Sequence, residues 1–211
     1  MKFQLPKIYP ITDERVSGIP AYEQFEGLIA GGASLIQLRD KHSSSRELYE
    51  SATNCLSIAR AAGARIIIND RVDIALALKA DGVHLGQDDL PCEQARSILG
   101  QHAIIGFSTH SPEQAKAALA LPVDYIAIGP IFSTSTKENP DAVVGLEGLS
   151  RVKSIIGRFP LVAIGGITSS NVRSILEGGA DSAAMISGLV ADNDSISQNL
   201  MAISEQLSNW C

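Results

Sequence analysis

Three cysteines in 211 residues is very few. Cys55, Cys92 and Cys211 are odd in number, far apart and without metal-ligand spacing, which argues against a disulfide framework or a zinc site. Positive charge is scarce as well. The 17 Lys and Arg stand against 23 Asp and Glu, a formal net charge of −6, so there is no broad basic footprint for nucleic acid or anionic lipid. Any anionic ligand must be held by cations gathered locally. No stretch approaches the roughly 18 uninterrupted apolar residues of a membrane span, and residues 1–10 carry no apolar signal segment. A soluble protein of the reducing cytoplasm is expected. Linkers rich in Pro and Ser, charge runs and low-complexity tracts are missing too, while 45% hydrophobic residues suit an ordinary packed core.

What the chain does have is alternation. Short apolar or β-branched runs at 8–11, 35–38, 65–68, 82–85, 104–107, 125–128, 161–164 and 183–186 each lead through a polar turn into helical spacing. That spacing predicts helices over 22–30, 45–61, 72–78, 92–99, 112–119, 146–156 and 171–177, with a last one near 195–207. Ser111-Pro112-Glu113-Gln114 reads as a capping box with proline at the first helical position, and Gly31-Gly32 and Gly178-Gly179 read as helix stops. Eight βα units in 211 residues leave about 26 each, in the lower range for a (β/α)8 barrel. The expected fold is α/β, a single TIM barrel over 1–211. An open doubly wound sheet shares the alternation, but the glycine pair after the early strand lacks the dinucleotide fingerprint.

In such a barrel the active site lies at the C-terminal strand ends, and polar residues are abundant there. In Leu35-Ile36-Gln37-Leu38-Arg39-Asp40-Lys41 the two-residue period puts Gln37, Arg39 and Lys41 on one face and Ile36 and Leu38 on the other. Two cations facing inward need an anion or an internal carboxylate partner, Asp40 or another. The third and fourth strands end in Asn69-Asp70-Arg71 and His84-Leu85-Gly86-Gln87-Asp88-Asp89, so Asp70 with Asp88 or Asp89 offers two carboxylates for Mg2+; read alone, Asp70 serves equally as a helix cap and Asp88-Asp89 as a turn. Ser108 offers a hydroxyl donor after the fifth strand. His84, between Val83 and Leu85, reads as a hydrogen-bonded barrel residue rather than a base, and His110 as a loop residue. The longest connection carries Thr134-Ser135-Thr136-Lys137, and Gly165-Gly166 and Ile186-Ser187 occupy the loops after strands seven and eight, where many barrels bind phosphate. A cation and carboxylate cluster on one side and an amide cradle on the other imply two phosphorylated substrates.

On these residues the chain resembles the thiamine-phosphate synthase family over nearly its full length. The likeness rests on Gln37 to Lys41, Asn69-Asp70-Arg71, Gly82 to Asp89, Gly106 with Ser108 and His110, Gly129 to Phe132, Thr134 to Lys137 and Gly165-Gly166-Ile167, in the family's order. The resemblance implies that hydroxymethylpyrimidine diphosphate, 4-amino-2-methyl-5-(diphosphooxymethyl)pyrimidine, is joined to a thiazole phosphate, giving thiamine phosphate and pyrophosphate, with loss of CO2 when the thiazole is carboxylated. It further implies that Gln37, Leu38, Arg39, Asp40, Lys41, Asn69, Ser108 and Lys137 contact the pyrimidine diphosphate. Asp70 and Asp89 would bind one Mg2+; Thr134, Ser135, Thr136, Gly166, Ile186 and Ser187 would hold the thiazole phosphate.

The chemistry needs no protein nucleophile, because the thiazole nitrogen attacks a pyrimidine cation formed by dissociation. Arg39, Lys41, Ser108 and Lys137 are the expected catalytic groups, acting on the charge of the leaving pyrophosphate. Expected partners are small phosphorylated molecules, with neither nucleic acid nor membrane, and no oligomeric state is assigned. A related thiazole tautomerase, with His110 as base, would have no use for the diphosphate cations and paired carboxylates. A non-catalytic sensor would be expected to have lost one of Arg39, Lys137 or the acidic residues, and none is lost.

Overall fold

The computed structural model describes residues 4–134, 136, 141–192 and 195–208. Eight parallel strands lie in the order β1-β8-β7-β6-β5-β4-β3-β2. They are β1 Ile8–Pro10, β2 Leu35–Leu38, β3 Arg65–Asn69, β4 Gly82–Leu85, β5 Ile104–Thr109, β6 Tyr125–Ile128, β7 Leu161–Ile164 and β8 Ser182–Met185. A single bridge, Ile11 to Gln37, with the Thr12 N–H donating to the Gln37 carbonyl at 2.9 Å, joins β1 to β2 and nearly closes the barrel. The helices are α1 Glu14–Ser17, α2 Ala21–Ala30, α3 Ser45–Ala61, α4 Val72–Leu78, α5 Cys92–Leu99, α6 Pro112–Ala118, α7 Gly145–Ile156, α8 Val172–Glu177, α9 Ser187–Val190 and α10 Ile196–Ser208. The expected (β/α)8 barrel is the observed one. The short α1 and α9 were not foreseen, since four residues are too few to show a hydrophobic period.

Local chemistry explains most boundaries. A reciprocal capping box of Ser44 and Glu47 starts α3. At α6 only half of the expected box forms. Ser111 Oγ accepts from the Gln114 N–H, but Gln114 Oε1 takes the His110 N–H and so ties down the turn before the cap. Gly32 and Gly179 take left-handed φ values of 90° and 101° just past α2 and α8. Lys79 takes the same conformation, φ 53°, at the corresponding place after α4.

The strand period of two sorts the core into layers. Ile36, Leu38, Ile66, Ile68, Val83, Leu85, Ile105, Ile126 and Ile128 point outward and pack beneath the helices. Tyr9, Ile11, Leu35, Ile67, Ile104, Tyr125, Ala127, Val162 and Ala184 fill the barrel. At the N-terminal end of the barrel β4, β6 and β8 are preceded by a repeated device. Asp81, Asp124 and Asp181 each donate their N–H to the carbonyl of one residue in the preceding strand, Ile66, Ile105 and Leu161, at 3.2, 2.7 and 2.8 Å. Each then accepts the same residue's N–H on its carboxylate, at 2.9, 2.8 and 2.9 Å. Arg96 neutralises Asp124 at 2.7 Å and Lys153 neutralises Asp181 at 2.8 Å.

Candidate active site

The opposite rim gathers the polar residues singled out in the sequence. Lys41 follows β2 and its Nζ lies 3.0 Å from Oδ2 of Asp70, which follows β3. Asp70 has a left-handed φ of 62°, uncommon for a residue with a Cβ and of the kind that clusters at functional sites. Asp89, beyond β4, accepts the Gly86 N–H at 2.6 Å. Burial raises its carboxyl above the usual range, and the neighbouring Asp70 carboxylate raises it further against the opposing pull of Gly86 and Lys41. Asp88 is exposed. Among the described residues no group of three or more His, Cys, Asp or Glu is placed to hold a metal.

Asn69 closes β3 as part of the strand, so the pleat aims its buried side chain inward, and its Nδ2 has no hydrogen-bond partner. Leaving such a donor unpaired costs about 1–3 kcal/mol. Arg39 does not stand free. Its guanidinium is paired with Asp13, a buried carboxylate that also caps α1 by accepting from the N–H groups of Arg15 and Val16. Thr12 accepts the Arg39 N–H at 3.3 Å. The carboxylate partner left open for Arg39 in the sequence is therefore Asp13 and not Asp40, whose side chain accepts the His42 and Ser43 N–H groups of its own loop. Leu38 is fully buried in the layer beneath the helices. Thr12 and Asp13 were missed, although they obey the same rule as the others: polar residues at a strand's C-terminal end.

Ser108 lies within β5 rather than after it, and its hydroxyl is 2.8 Å from Nε2 of His84. His84 is a buried, hydrogen-bonded barrel residue as expected, with Nδ1 2.9 Å from the Tyr125 hydroxyl. Burial pulls its pKa down to about 4, so it is neutral at pH 7. His110 Nδ1–H donates to the Gly129 carbonyl at 2.7 Å, with Asp141 3.4 Å away.

On the far arc, Gly165 and Gly166 have φ values of 104° and 64°. A Cβ on Gly166 would come within 2.5 Å of the Ser133 carbonyl, so only glycine lets the loop after β7 lie against the loop after β6. Asn171 Nδ2 donates to the Gly166 carbonyl at 2.9 Å. Thr134 accepts the Thr136 N–H at 3.3 Å. Ile186 and Ser187 do not extend β8; they form the start of α9, with Ser187 exposed. Ser135 and Lys137 lie outside the described residues.

A family model described as thiamine monophosphate synthase matches residues 8–189. Curated relatives described as thiamine-phosphate synthase include that of Persephonella marina, 45% identical over 205 residues and 96% of each chain. Another, from Syntrophomonas wolfei subsp. wolfei, is 45% identical over 188 residues, 89% of this chain and 90% of the relative. Among solved structures, the thiamine phosphate pyrophosphorylase of Pyrococcus furiosus is similar with a TM-score of 0.83 and 38% identity, covering 95% of this chain and 96% of that one.

Proposed function

This chain belongs to the thiamine monophosphate synthase family and is a transferase of thiamine biosynthesis; we propose how its barrel mouth carries the reaction. The methylene–oxygen bond of the aminopyrimidine diphosphate breaks and its electron pair leaves with pyrophosphate. The ring amino group stabilises the cation left behind, and the thiazole phosphate nitrogen closes the new carbon–nitrogen bond. A carboxylated thiazole would lose CO2 as well.

Gln37, Arg39, Asp40, Lys41, Asn69, Ser108 and Lys137 would contact the pyrimidine diphosphate; Leu38, whose side chain packs beneath the helices, could reach it only through its backbone. The unpaired Asn69 N–H supports that side of the site, because a substrate acceptor would satisfy it. Arg39, Lys41, Ser108 and Lys137 would stabilise the growing negative charge on the departing group. Asp13 would hold the Arg39 guanidinium in place and lower its rotational freedom. Thr134, Ser135, Thr136, Gly166, Ile186 and Ser187 would hold the thiazole phosphate on the other arc. Bringing both substrates into line supplies much of the remaining rate.

The donor set suits Mg2+. Asp70 and Asp89 are two hard oxygen donors from neighbouring strand ends, close enough to repel, and Mg2+ takes one or two carboxylates with water and phosphate oxygens filling the rest. One ion held there would, when bound, add positive charge against the diphosphate. Residues 1–211 act, on this reading, as one catalytic barrel in the cytoplasm, working on small phosphorylated molecules and on neither nucleic acid nor membrane.

The observation that carries the reading is the meeting of Lys41, Asp70 and Asp89 beyond three adjacent strands. Mixing purified protein with both substrates, with and without Mg2+, tests it. Thiamine phosphate and pyrophosphate should appear in equal amounts and only with the metal. Rearranged thiazole phosphate without thiamine phosphate would overturn it in favour of a tautomerase.

A further inference from the structure

Beneath the mouth, five side chains from β1, β2, β4, β5 and β6 form one unbroken hydrogen-bond chain. Gln37 Nε2 donates to the Tyr9 hydroxyl at 3.1 Å. The Tyr9 and Tyr125 hydroxyls are 3.1 Å apart, Tyr125 is 2.9 Å from His84 Nδ1, and His84 Nε2 is 2.8 Å from Ser108 Oγ. The rings are packed as well as bonded, Tyr9 edge-on to Tyr125 and His84 stacked on it. Gly106 makes the arrangement possible: a Cβ there would sit 2.0 Å from Cζ of Tyr125.

Each hydroxyl has one proton to give, so a chain in which every proton is used within it runs in one of two directions. With the Gln37 amide donating, one continuous direction runs through every link: the Tyr9 proton toward Tyr125 and the Tyr125 proton toward His84. Nδ1 is then an acceptor, the imidazole proton sits on Nε2, and Ser108 receives it. Both chain ends are thereby fixed. Ser108 keeps its own proton for a ligand, and Gln37 keeps its carbonyl oxygen, which takes no protein donor among the described residues. The opposite sense would turn the Gln37 NH2 outward and leave Ser108 an acceptor. An aminopyrimidine diphosphate has the reverse demands: its exocyclic amine needs an acceptor, and its ring nitrogens and phosphate oxygens need donors.

We propose that Tyr9, Tyr125 and His84 are positioning residues that fix Gln37 as an acceptor and Ser108 as a donor, matching the site to an aminopyrimidine diphosphate. This rests on the synthase reading above and adds three buried residues to it. Tyr125→Phe keeps the ring against Gly106 but cuts the chain in the middle. The KM for the pyrimidine diphosphate should rise about tenfold, the size of one lost hydrogen bond, while the KM for the thiazole phosphate stays within about twofold. Equal changes in both KM values, in protein folded by circular dichroism, would overturn the proposal. His84→Gln, whose single amide can accept from Tyr125 and donate to Ser108, should retain the pyrimidine KM that His84→Leu loses; equal loss in both would also overturn it. If Tyr125→Phe does not fold, Tyr9→Phe makes the same cut one link earlier. Nitrogen-15 spectra of the unliganded wild-type protein decide the direction without any turnover: Nε2 of His84 should be protonated and Nδ1 bare. The reverse tautomer would defeat this proposal and leave the synthase reading standing, whereas absence of thiamine phosphate would defeat that reading and leave the tautomer intact.

Discussion

The two ends of the barrel use the same residue types in opposite ways. At the N-terminal end, Asp81, Asp124 and Asp181 are fully employed by the protein itself, each clamping the start of the preceding strand. Arg96 beside them donates to the Pro122, Gly100 and Ala103 carbonyls as well as to Asp124. At the C-terminal end Asp70 and Asp89 crowd together, an Asn69 N–H is buried without a partner, and Asp70 is held in an uncommon backbone conformation. One rim spends its carboxylates on strand backbone; the other pairs Arg39 with Asp13 and Lys41 with Asp70 but crowds Asp70 against Asp89 and leaves the Asn69 amide without a partner. That difference matches the proposed division into a stability face and a working face, and it is drawn without reference to sequence similarity. The separation is not complete: the Ser182 hydroxyl, at the start of β8, is also buried without a partner, and nothing in the structure explains it.

Exchanging a carboxylate for a neutral group at each rim gives the sharpest contrast. Asp89→Asn should lower kcat/KM at least about a hundredfold by removing charge needed at the diphosphate, with the urea midpoint unchanged or raised as a like-charge contact disappears. Near-normal activity at low Mg2+ would return Asp89 to a turn residue. Asp124→Ala should do the reverse. It takes the carboxylate from the Arg96 guanidinium and strands the Ile105 N–H, costing about 3 kcal/mol of stability, while kcat/KM per folded molecule stays unchanged. A loss of activity without a loss of stability would break the comparison.

Acid should act through the barrel interior. His84 has a folded pKa of about 4 against 6.5 unfolded, because burial disfavours the imidazolium, with Asp89 opposing and Lys41 adding to the shift. Between those values the unfolded chain binds a proton that the native chain does not. The contribution is therefore complete above the unfolded value and is lost as pH falls toward about 4, amounting to about 3 kcal/mol. Urea unfolding across this window, wild type against His84→Gln, should show a shallower acid slope in the variant. Identical slopes would mean that the native ring titrates normally.

The smallest effect belongs to the stability rim. Lys79 takes a left-handed φ where Gly32 and Gly179 stand at the corresponding positions after α2 and α8. Lys79→Gly should raise stability by about 0.5–1 kcal/mol through relief of that strain, with no change in kcat/KM. A destabilised variant would show that the Lys79 side chain contributes more than its backbone costs.

Alternation of apolar runs and helical stretches made the eight-stranded barrel legible in the sequence, because each strand must bury one face under helices and one inside. The rule that barrels work at their C-terminal strand ends then led to Gln37, Lys41, Asn69, Asp70 and Ser108 directly and left Asp88 and Asp89 as alternatives, between which the family resemblance chose Asp89. The sequence could also show that Arg39 needs a carboxylate. It could not show that the partner is Asp13, 26 residues away, because only barrel closure brings the end of β1 beside β2. Nor could it assemble Gln37, Tyr9, Tyr125, His84 and Ser108 into one chain. Each reads locally as an ordinary inward residue, and their contacts span up to 116 positions between Tyr9 and Tyr125. Periodicity decides which way a side chain points; only the closed sheet, with a glycine where a tyrosine ring must pass, decides what it meets there.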